Sequence, residues 1–345
     1  MALTDKQIST LRHELETAAR PLFFFDDDPD GLTAFLLLYR LNKEGNGVMV
    51  KKVPCLDISF LRKVDEYSPD KIFVLDVPTI EQEFINKAKV PMFWIDHHKP
   101  QKNTNIFYCN PRVNDDNDNR PTNYWAYQVA KQDTWIALVG CVADWHLPEF
   151  KNQFPDLIPE EVNDIQVALF TTKAGKLARI FSFILKGKTA DVNKAIKVLT
   201  RIKDYKEILE QTTAQGKFIY KKYEQINKEY ELLIEGIGDH NVEGNILFYR
   251  YNEQKHSFTS DLSNELQYKF KDKVIMIARV SHSEAKCSLR AQFLELDKVV
   301  EKALVGIDGY GGGHKHACGA CIKEHDFERF KKNLREIIDE ALKKK

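Results

Sequence analysis

No apolar run in this sequence approaches the ~18–20 residues that a membrane-spanning helix requires, so a membrane protein is not expected. Cysteine is scarce: six are scattered over 345 residues, which does not make a disulfide framework. The one close pair, Cys318-Gly-Ala-Cys321, lies in a short apolar run that reads as a strand. Residues three apart on a strand face opposite sides, so metal or redox use of this pair is not expected. An excess of either charge is also missing, with Lys+Arg and Asp+Glu at 51 each. Indiscriminate binding of long duplexes rests on phosphate neutralisation by basic residues, and the balance argues against it; a local basic groove remains compatible. The first 20 residues are amphipathic and charged, without the apolar core of a signal peptide. Together these absences predict a soluble, cytoplasmic protein with no membrane partner. Internal repeats are lacking too. The biased stretches Asn114–Asn119 and Lys343–Lys345 read as a solvated, helix-capping loop and a frayed tail.

What is present is ample core material, 43% hydrophobic residues in a length that favours about two domains. Short apolar runs at Leu22–Phe25, Val48–Val53, Ile72–Leu75, Met92–Ile95 and Ile106–Tyr108 read as strands. Helical patterns at Leu32–Asn42 and Ile80–Ala88 alternate with them. That alternation predicts an α/β fold whose N-terminal domain is a doubly wound, mainly parallel sheet. A mostly helical stretch follows, with Asn123–Lys131, Trp135–Asp144, Pro159–Leu169 and Lys176–Leu185 as candidates. Apolar spacing from Ile202 to Leu233 suits one long helix, or two broken near Gly216. Beyond Gly236-Ile-Gly238 a smaller α/β domain is expected. Its strands are Ile246–Tyr251, Val274–Val280 and Lys286–Gln292, and its helices lie near Leu262–Phe270, Lys298–Leu304 and from Phe327. The expected divisions are 1–200, a helical connector 201–238, and 239–345.

Three apolar runs end in acids. Asp26-Asp27-Asp28-Pro29-Asp30-Gly31 follows the first, Asp76 the second and Asp96-His97-His98 the third. In open parallel sheets ligands bind beyond the carboxyl ends of the strands, so these motifs should meet at one edge. If the chain stays extended past Phe25, Asp26, Asp28 and Asp30 share a face and Asp27 points away. Asp144 ends the apolar helix Ile136–Ala143, where an acid is costly unless paired or metal-bound. Crowded carboxylates with a histidine are most simply explained by divalent metal. Adjacent histidines suit ligation by one and orientation or phosphate contact by the other. The glycine-rich loop Gly309–His314 is no Walker motif, because no Lys-Ser/Thr follows it. Its glycines permit close backbone approach, and His314 can donate to a phosphate. Arg290 could give a bidentate phosphate contact.

Asp28-Pro-Asp30-Gly31, Asp76, Asp96-His97-His98 and Asp144 resemble the four successive motifs of the DHH phosphoesterases. Ser288-Leu-Arg290 and Gly311-Gly312-Gly313-His314 resemble the associated C-terminal domain of that family. The helical middle, with Gly175-Lys-Leu-Ala-Arg-Ile-Phe-Ser-Phe, looks similar to archaeal RecJ-like proteins. The resemblance implies two Mn2+ (or Mg2+) ions, one held by Asp26, Asp28 and Asp76. Asp30, Asp76, His97 and Asp144 would hold the other, with Asp76 bridging. An acid at position 26, where many relatives carry histidine, is similar to the RecJ type. His98, Arg290, His314 and the three glycines would contact substrate phosphate, and Asp76, His97 and His98 would serve catalysis.

The implied activity is exonucleolytic hydrolysis of single-stranded DNA or RNA from an end, as in RecJ. Nothing after the glycine motif is long enough for the oligonucleotide-binding barrel of bacterial RecJ, and the charge is balanced, which favours short strands. Aromatics for base stacking are plentiful, 13 Tyr and 21 Phe, but most should be core. A second reading keeps the site and changes the substrate to short RNA, cyclic dinucleotides, phosphoadenosine phosphate or polyphosphate. A third is a replication scaffold, or an active enzyme that also docks on a replisome subunit such as GINS.

Overall fold

The computed structural model describes residues 3–51, 55–253 and 255–343. The chain divides into two compact units, Met1–Tyr223 and Glu224–Lys345. The first unit opens with α1 (Asp5–Glu16), whose start is fixed by reciprocal hydrogen bonds between Thr4 and Gln7. Strands and helices then alternate through β1 (Pro21–Asp26), α2 (Pro29–Asn42), β2 (Asn46–Val50), β3 (Cys55–Leu56) and α3 (Leu61–Tyr67). They continue through β4 (Lys71–Leu75), β5 (Thr79–Ile80), α4 (Gln82–Ala88), β6 (Met92–Ile95) and β7 (Phe107–Cys109). Five of these strands form one parallel sheet in the order β2-β1-β4-β6-β7, as the alternating pattern predicts. The two-residue strands β3 and β5 pair separately.

The near-continuous apolar strands are explained by burial on both faces. Leu22, Phe24, Ile72, Val74 and Trp94 join Val64, Ile80 and Phe84 in one cluster. On the other face Phe23, Phe73 and Phe93 stack in a ladder, with ring centroids 5.5 and 5.1 Å apart. Phe35 of α2 packs edge-on against Phe23.

Boundaries differ from the sequence expectation where local hydrogen bonding intervenes. The strand expected at Val48–Val53 runs Asn46–Val50, and Val53 lies outside the described residues, as do Lys344 and Lys345 of the tail. Helices α5 (Thr122–Ala130), α6 (Thr134–Ala143) and α8 (Lys173–Ile184) lie close to where they are expected. The helix expected from Pro159 begins only at α7 (Ile165–Thr171), because Asp164 caps it by accepting from the N–H groups of Gln166 and Val167. The sequence reading misses α9 (Thr189–Leu199), although Val192, Ala195, Ile196 and Leu199 are buried at helical spacing. Of the two readings for Ile202–Leu233, the structure shows two helices, α10 (Tyr205–Leu209) and α11 (Ala214–Glu235), which part shortly before Gly216; α11 carries the chain into the second unit.

The second unit contains a six-stranded sheet in the order β12-β13-β11-β10-β9-β8. Its strands are β8 (Val242–Glu243), β9 (Ile246–Asn252), β10 (Val274–Ser281), β11 (Glu284–Arg290), β12 (Gly309–His314) and β13 (Ala317–Lys323). Of its described pairings only β9–β10 is parallel. Helices α13 (Leu296–Ala303) and α14 (Phe327–Lys343) supply Val300, Phe330, Leu334 and Ile338 to a core with Leu289, Ala320 and Ile322. Helix α12 (Thr259–Lys269) packs against β10 and β11. Cys318 belongs to the core cluster, whereas Cys321 lies on the other face, its Sγ 3.5 Å from Glu284 Oε2. One expectation needs correction: Gly309–His314 is no loop but a paired strand, held by its register with β13 despite poor intrinsic propensity. No described helix is long and apolar enough to cross a membrane.

Candidate metal centre

The carboxyl ends of β1, β4 and β6 deliver their acids to one edge of the parallel sheet, and α6 adds Asp144 from its C-terminus. Ligand atoms within 4.8 Å of one another form three overlapping groups: Asp26, Asp28 and Asp76; Asp30, His97 and Asp144; Asp76, His97 and His98. His97 Nε2 lies 3.4 Å from Asp76 Oδ1, 3.7 Å from Asp144 Oδ2 and 3.8 Å from Asp30 Oδ2. All six acids and histidines expected to hold metal therefore gather here.

The backbone reaches this arrangement differently from the extended path expected for Asp26–Asp30. Strand β1 ends at Asp26, and Asp28 becomes the N-cap of α2, accepting the Gly31 N–H at 2.9 Å. Asp30 then sits in the first helical turn and is 1% exposed. A side chain at Gly31 would place its Cβ 2.7 Å from the Asp26 backbone nitrogen, so glycine is what lets helix and strand end meet. Asp27 is exposed, as expected, although the strand alternation behind that expectation ends at Asp26, and its strongest favourable charges are Lys51 and Lys186.

Buried Asp76 adopts a left-handed backbone, φ +62°, a strained state for a residue with a side chain. Its Oδ1 accepts from Thr122 Oγ1 at 3.0 Å. Asp30 accepts the backbone N–H groups of Thr122 and Asn123 at 2.8 and 2.7 Å, so it faces the N-terminus of α5. Sequence reading does not single out Thr122 and Asn123; the only local sign is a helix start just after Pro121.

Electrostatics describe a cluster short of positive charge. Burial, then Asp28, raises Asp30 to about 7, and the same two causes lead in raising Asp26 to about 7. Burial raises Asp76 well above the ordinary carboxylate range, reinforced by Asp30, Asp28, Asp144 and Asp26. Asp144 is raised by burial, then by Asp30 and Asp28. Asp28 is raised by burial against the stabilising Gly31 hydrogen bond. Such a site must hold protons or cations. Five hard carboxylates with one imidazole suit Mn2+ or Mg2+ and not a thiolate-seeking metal.

The two histidines are driven apart. Burial and the neighbouring His98 lower His97 to about 4, leaving a neutral ring able to ligate. Burial also opposes charge on His98, but the hydrogen bond and charge of Asp96 outweigh it and raise His98. Asp96 is fully buried and accepts from Asn110 Nδ2 at 3.0 Å and Tyr108 Oη at 3.2 Å. Asn110 and Tyr108 are further residues that sequence reading misses. The Asn114–Asn119 stretch is largely exposed, as expected of a solvated loop, and it also pairs Asp118 with Arg120 and brings the Asn119 backbone to the His97 ring.

In the second unit Arg290, His314 and Ser288 line a common recess with Ser257, Thr259, Ser260 and Lys286. Arg290 Nε donates to Asn264 Oδ1 at 2.7 Å and Nη1 to the Leu289 carbonyl at 2.9 Å. Gly311, Gly312 and Gly313 lie on exposed β12 beside it. Gly313, at φ +148°, has a backbone that side chains rarely adopt.

Residues 248–341 match the family model of the DHHA1 domain. No curated protein matches the chain in sequence. Among solved structures it resembles RecJ of Thermus thermophilus in complex with Mn2+, with a TM-score of 0.67 at 16% identity. That likeness covers 96% of this chain and 55% of RecJ, so the chain spans about half the length of that relative. Exonuclease RecJ bound to manganese matches with a TM-score of 0.60 at 15% identity, covering 97% of this chain and 94% of that one. The DHH domain of a member of a family of ribosomal proteins matches with a TM-score of 0.67 at 14% identity, covering 96% and 89%. The class is therefore an α/β protein of the DHH fold. Within that class, this chain carries a DHHA1 domain as its second unit.

Proposed function

We propose that this chain is a divalent-cation-dependent phosphoesterase that hydrolyses short single-stranded DNA or RNA from an end. The observation that carries the reading is the gathering of Asp26, Asp28, Asp30, Asp76, His97 and Asp144 at one sheet edge. Two Mn2+ or Mg2+ ions fit these residues. Asp26 and Asp28 would hold one, Asp30, His97 and Asp144 the other, and Asp76 both. When bound, such a pair supplies Lewis-acid stabilisation of phosphoryl oxygens and a more acidic water.

The remaining work falls to the chain's own groups. His98 Nδ1 is engaged by Asp96, which leaves protonated Nε2 to donate to a phosphoryl oxygen. Thr122 and Asn123 hold Asp30 and Asp76 in place through their backbone and hydroxyl donors. Arg290, anchored through Nε and Nη1, keeps Nη2 for an anion, and His314 lines the same recess. Attack on a chain end is supported by the shared fold with exonuclease RecJ bound to manganese.

A Mn2+-dependent assay tests this on 5′- and 3′-labelled DNA and RNA, dinucleotides, phosphoadenosine phosphate and polyphosphate in parallel. A ladder of mononucleotide steps from one labelled strand is expected. Hydrolysis confined to the small phosphoesters moves the substrate class, and inactivity across the panel overturns the enzyme reading.

A further inference from the structure

Strand β12 carries one large aromatic that the phosphate reading does not use, Tyr310, which is 73% exposed. Its place follows from antiparallel register, in which directly opposed residues share a face. Three rows run across β11, β13 and β12. The first is Arg290, Ala317 and His314; the second Ser288, Gly319 and Gly312; the third Lys286, Cys321 and Tyr310. Ala285, Cys287, Leu289, Cys318, Ala320 and Ile322 alternate with these and belong to the core on the opposite face. Arg290 and His314 thus mark one end of this face, Gly319 and Gly312 its open middle, and a lysine with a tyrosine its far end; α12 covers the β11 side, where buried Ser288 meets Ser263.

The middle is bare. A Cβ at Gly312 would meet nothing within 4 Å, and one at Gly319 only the Cys287 carbonyl at 3.7 Å. Among the described residues, nothing on this row therefore stands between His314 and Tyr310. They lie four steps apart along the strand, roughly 13 Å. Glu284 makes its close ion pair with Lys323, at 2.8 Å, and exposed Lys286 acts on Glu284 and Glu253 only through its charge, so its ammonium can also meet a ligand anion. A phosphate at the first row and a second anion at Lys286, with a flat π-face opposite, matches a single nucleic-acid strand lying along this face. A free phosphate or polyphosphate would have no use for the ring.

We propose that Tyr310 and Lys286 form a nucleotide subsite, in which the Tyr310 ring stacks on a base of a strand whose terminal phosphate lies at Arg290 and His314. The subsite rests on the phosphoesterase reading above and narrows its substrate to strands of three or more nucleotides. Base stacking on an aromatic is sequence-tolerant and worth a roughly 5- to 100-fold change in affinity per base. Lys286 contributes through phosphate alone and is indifferent to the base.

The test uses the full chain with Mn2+ and a labelled, hydrolysis-resistant phosphorothioate pentathymidylate, read by fluorescence anisotropy. Tyr310→Ala should weaken binding at least fivefold, and Tyr310→Phe should restore it, since only the ring is required. A pentamer of abasic residues should bind wild type and Tyr310→Ala alike. Lys286→Ala should weaken normal and abasic strands by the same factor. Equal affinity of wild type and Tyr310→Ala for the normal strand overturns the subsite, as does a wild type that binds no strand. If natural strands are cleaved while Tyr310→Ala binds normally, the subsite fails and the hydrolase reading survives. If Tyr310→Ala loses affinity while no strand is cleaved, the reverse holds.

Discussion

His98 Nδ1 lies 2.7 Å from Oδ1 of Asp96, a carboxylate with no solvent exposure at the end of β6. Asp96 faces His98 and not the groups expected to hold cations, so its effect on metal should be small. Asp96→Asn keeps the shape but removes the charge that raises His98. Activity should fall by roughly 10- to 100-fold, in the range for residues that orient a site histidine. Elemental analysis should show unchanged metal content; a matching loss of metal would contradict the orienting role.

Asp76 is the acid that two of the three ligand groups have in common. Asp76→Asn should abolish turnover, and the stabilisation that Mn2+ confers on thermal melting should shrink with it. Retention of even a tenth of wild-type turnover is incompatible with a bridging carboxylate.

Asp26 and Asp30, raised to about 7, bind more protons in the folded chain than in the unfolded one. Groups raised in this way stabilise the fold below their unfolded range, and that contribution is lost as pH rises through 7. In EDTA the melting temperature should therefore fall from pH 6 to pH 8. Saturating Mn2+ should remove the fall, because the cation needs the ionised carboxylates. A metal-free melting temperature that rises over this interval in wild type, and equally in Asp76→Asn, rules out the crowded cluster as the cause.

Gly140 of α6 sits where a Cβ would fall 2.0 Å from Asn123 Nδ2 and 2.1 Å from Thr33 Oγ1, both in buried side chains. Gly140→Ala forces these apart and shifts the α5 start that holds Asp30. A loss of about 1–3 kcal/mol in urea unfolding is expected, with activity reduced beyond what the unfolded fraction explains. Unaltered stability would show that the helices have slack that the packing does not suggest.

His314 and Asn264 act on substrate in the proposed scheme, His314 by contact and Asn264 by aiming Arg290. His314→Ala and Asn264→Ala should raise KM by about tenfold or more, the cost of a charged hydrogen bond or its support. Metal binding followed by calorimetry should be untouched. A collapse of metal affinity in either variant would contradict the assignment.

Much of the first unit is legible because parallel strands are buried on both faces and so appear as unbroken apolar runs. Leu22–Phe25, Ile72–Leu75 and Met92–Ile95 stand out for that reason, and the acids after them mark the strand ends. Less legible is β12, whose glycines carry no strand signal until β13 is beside them. Helix α9 has a clear buried stripe, Val192, Ala195, Ile196 and Leu199, that is legible at helical spacing. The donors to Asp30 escape notice because Thr122 and Asn123 act through backbone N–H groups, which nearly every residue type possesses.

By itself the sequence determined which side chains gather at the sheet edge, since an acid placed after each buried strand has only one end of a parallel sheet to go to. Tertiary structure alone decided how each acid is held. The left-handed turn at Asp76, the helix N-terminus facing Asp30 and the Asp96 contact that separates His97 from His98 all depend on the folded surroundings. Burial and proximity set these charges, and neither is a property of a residue taken alone.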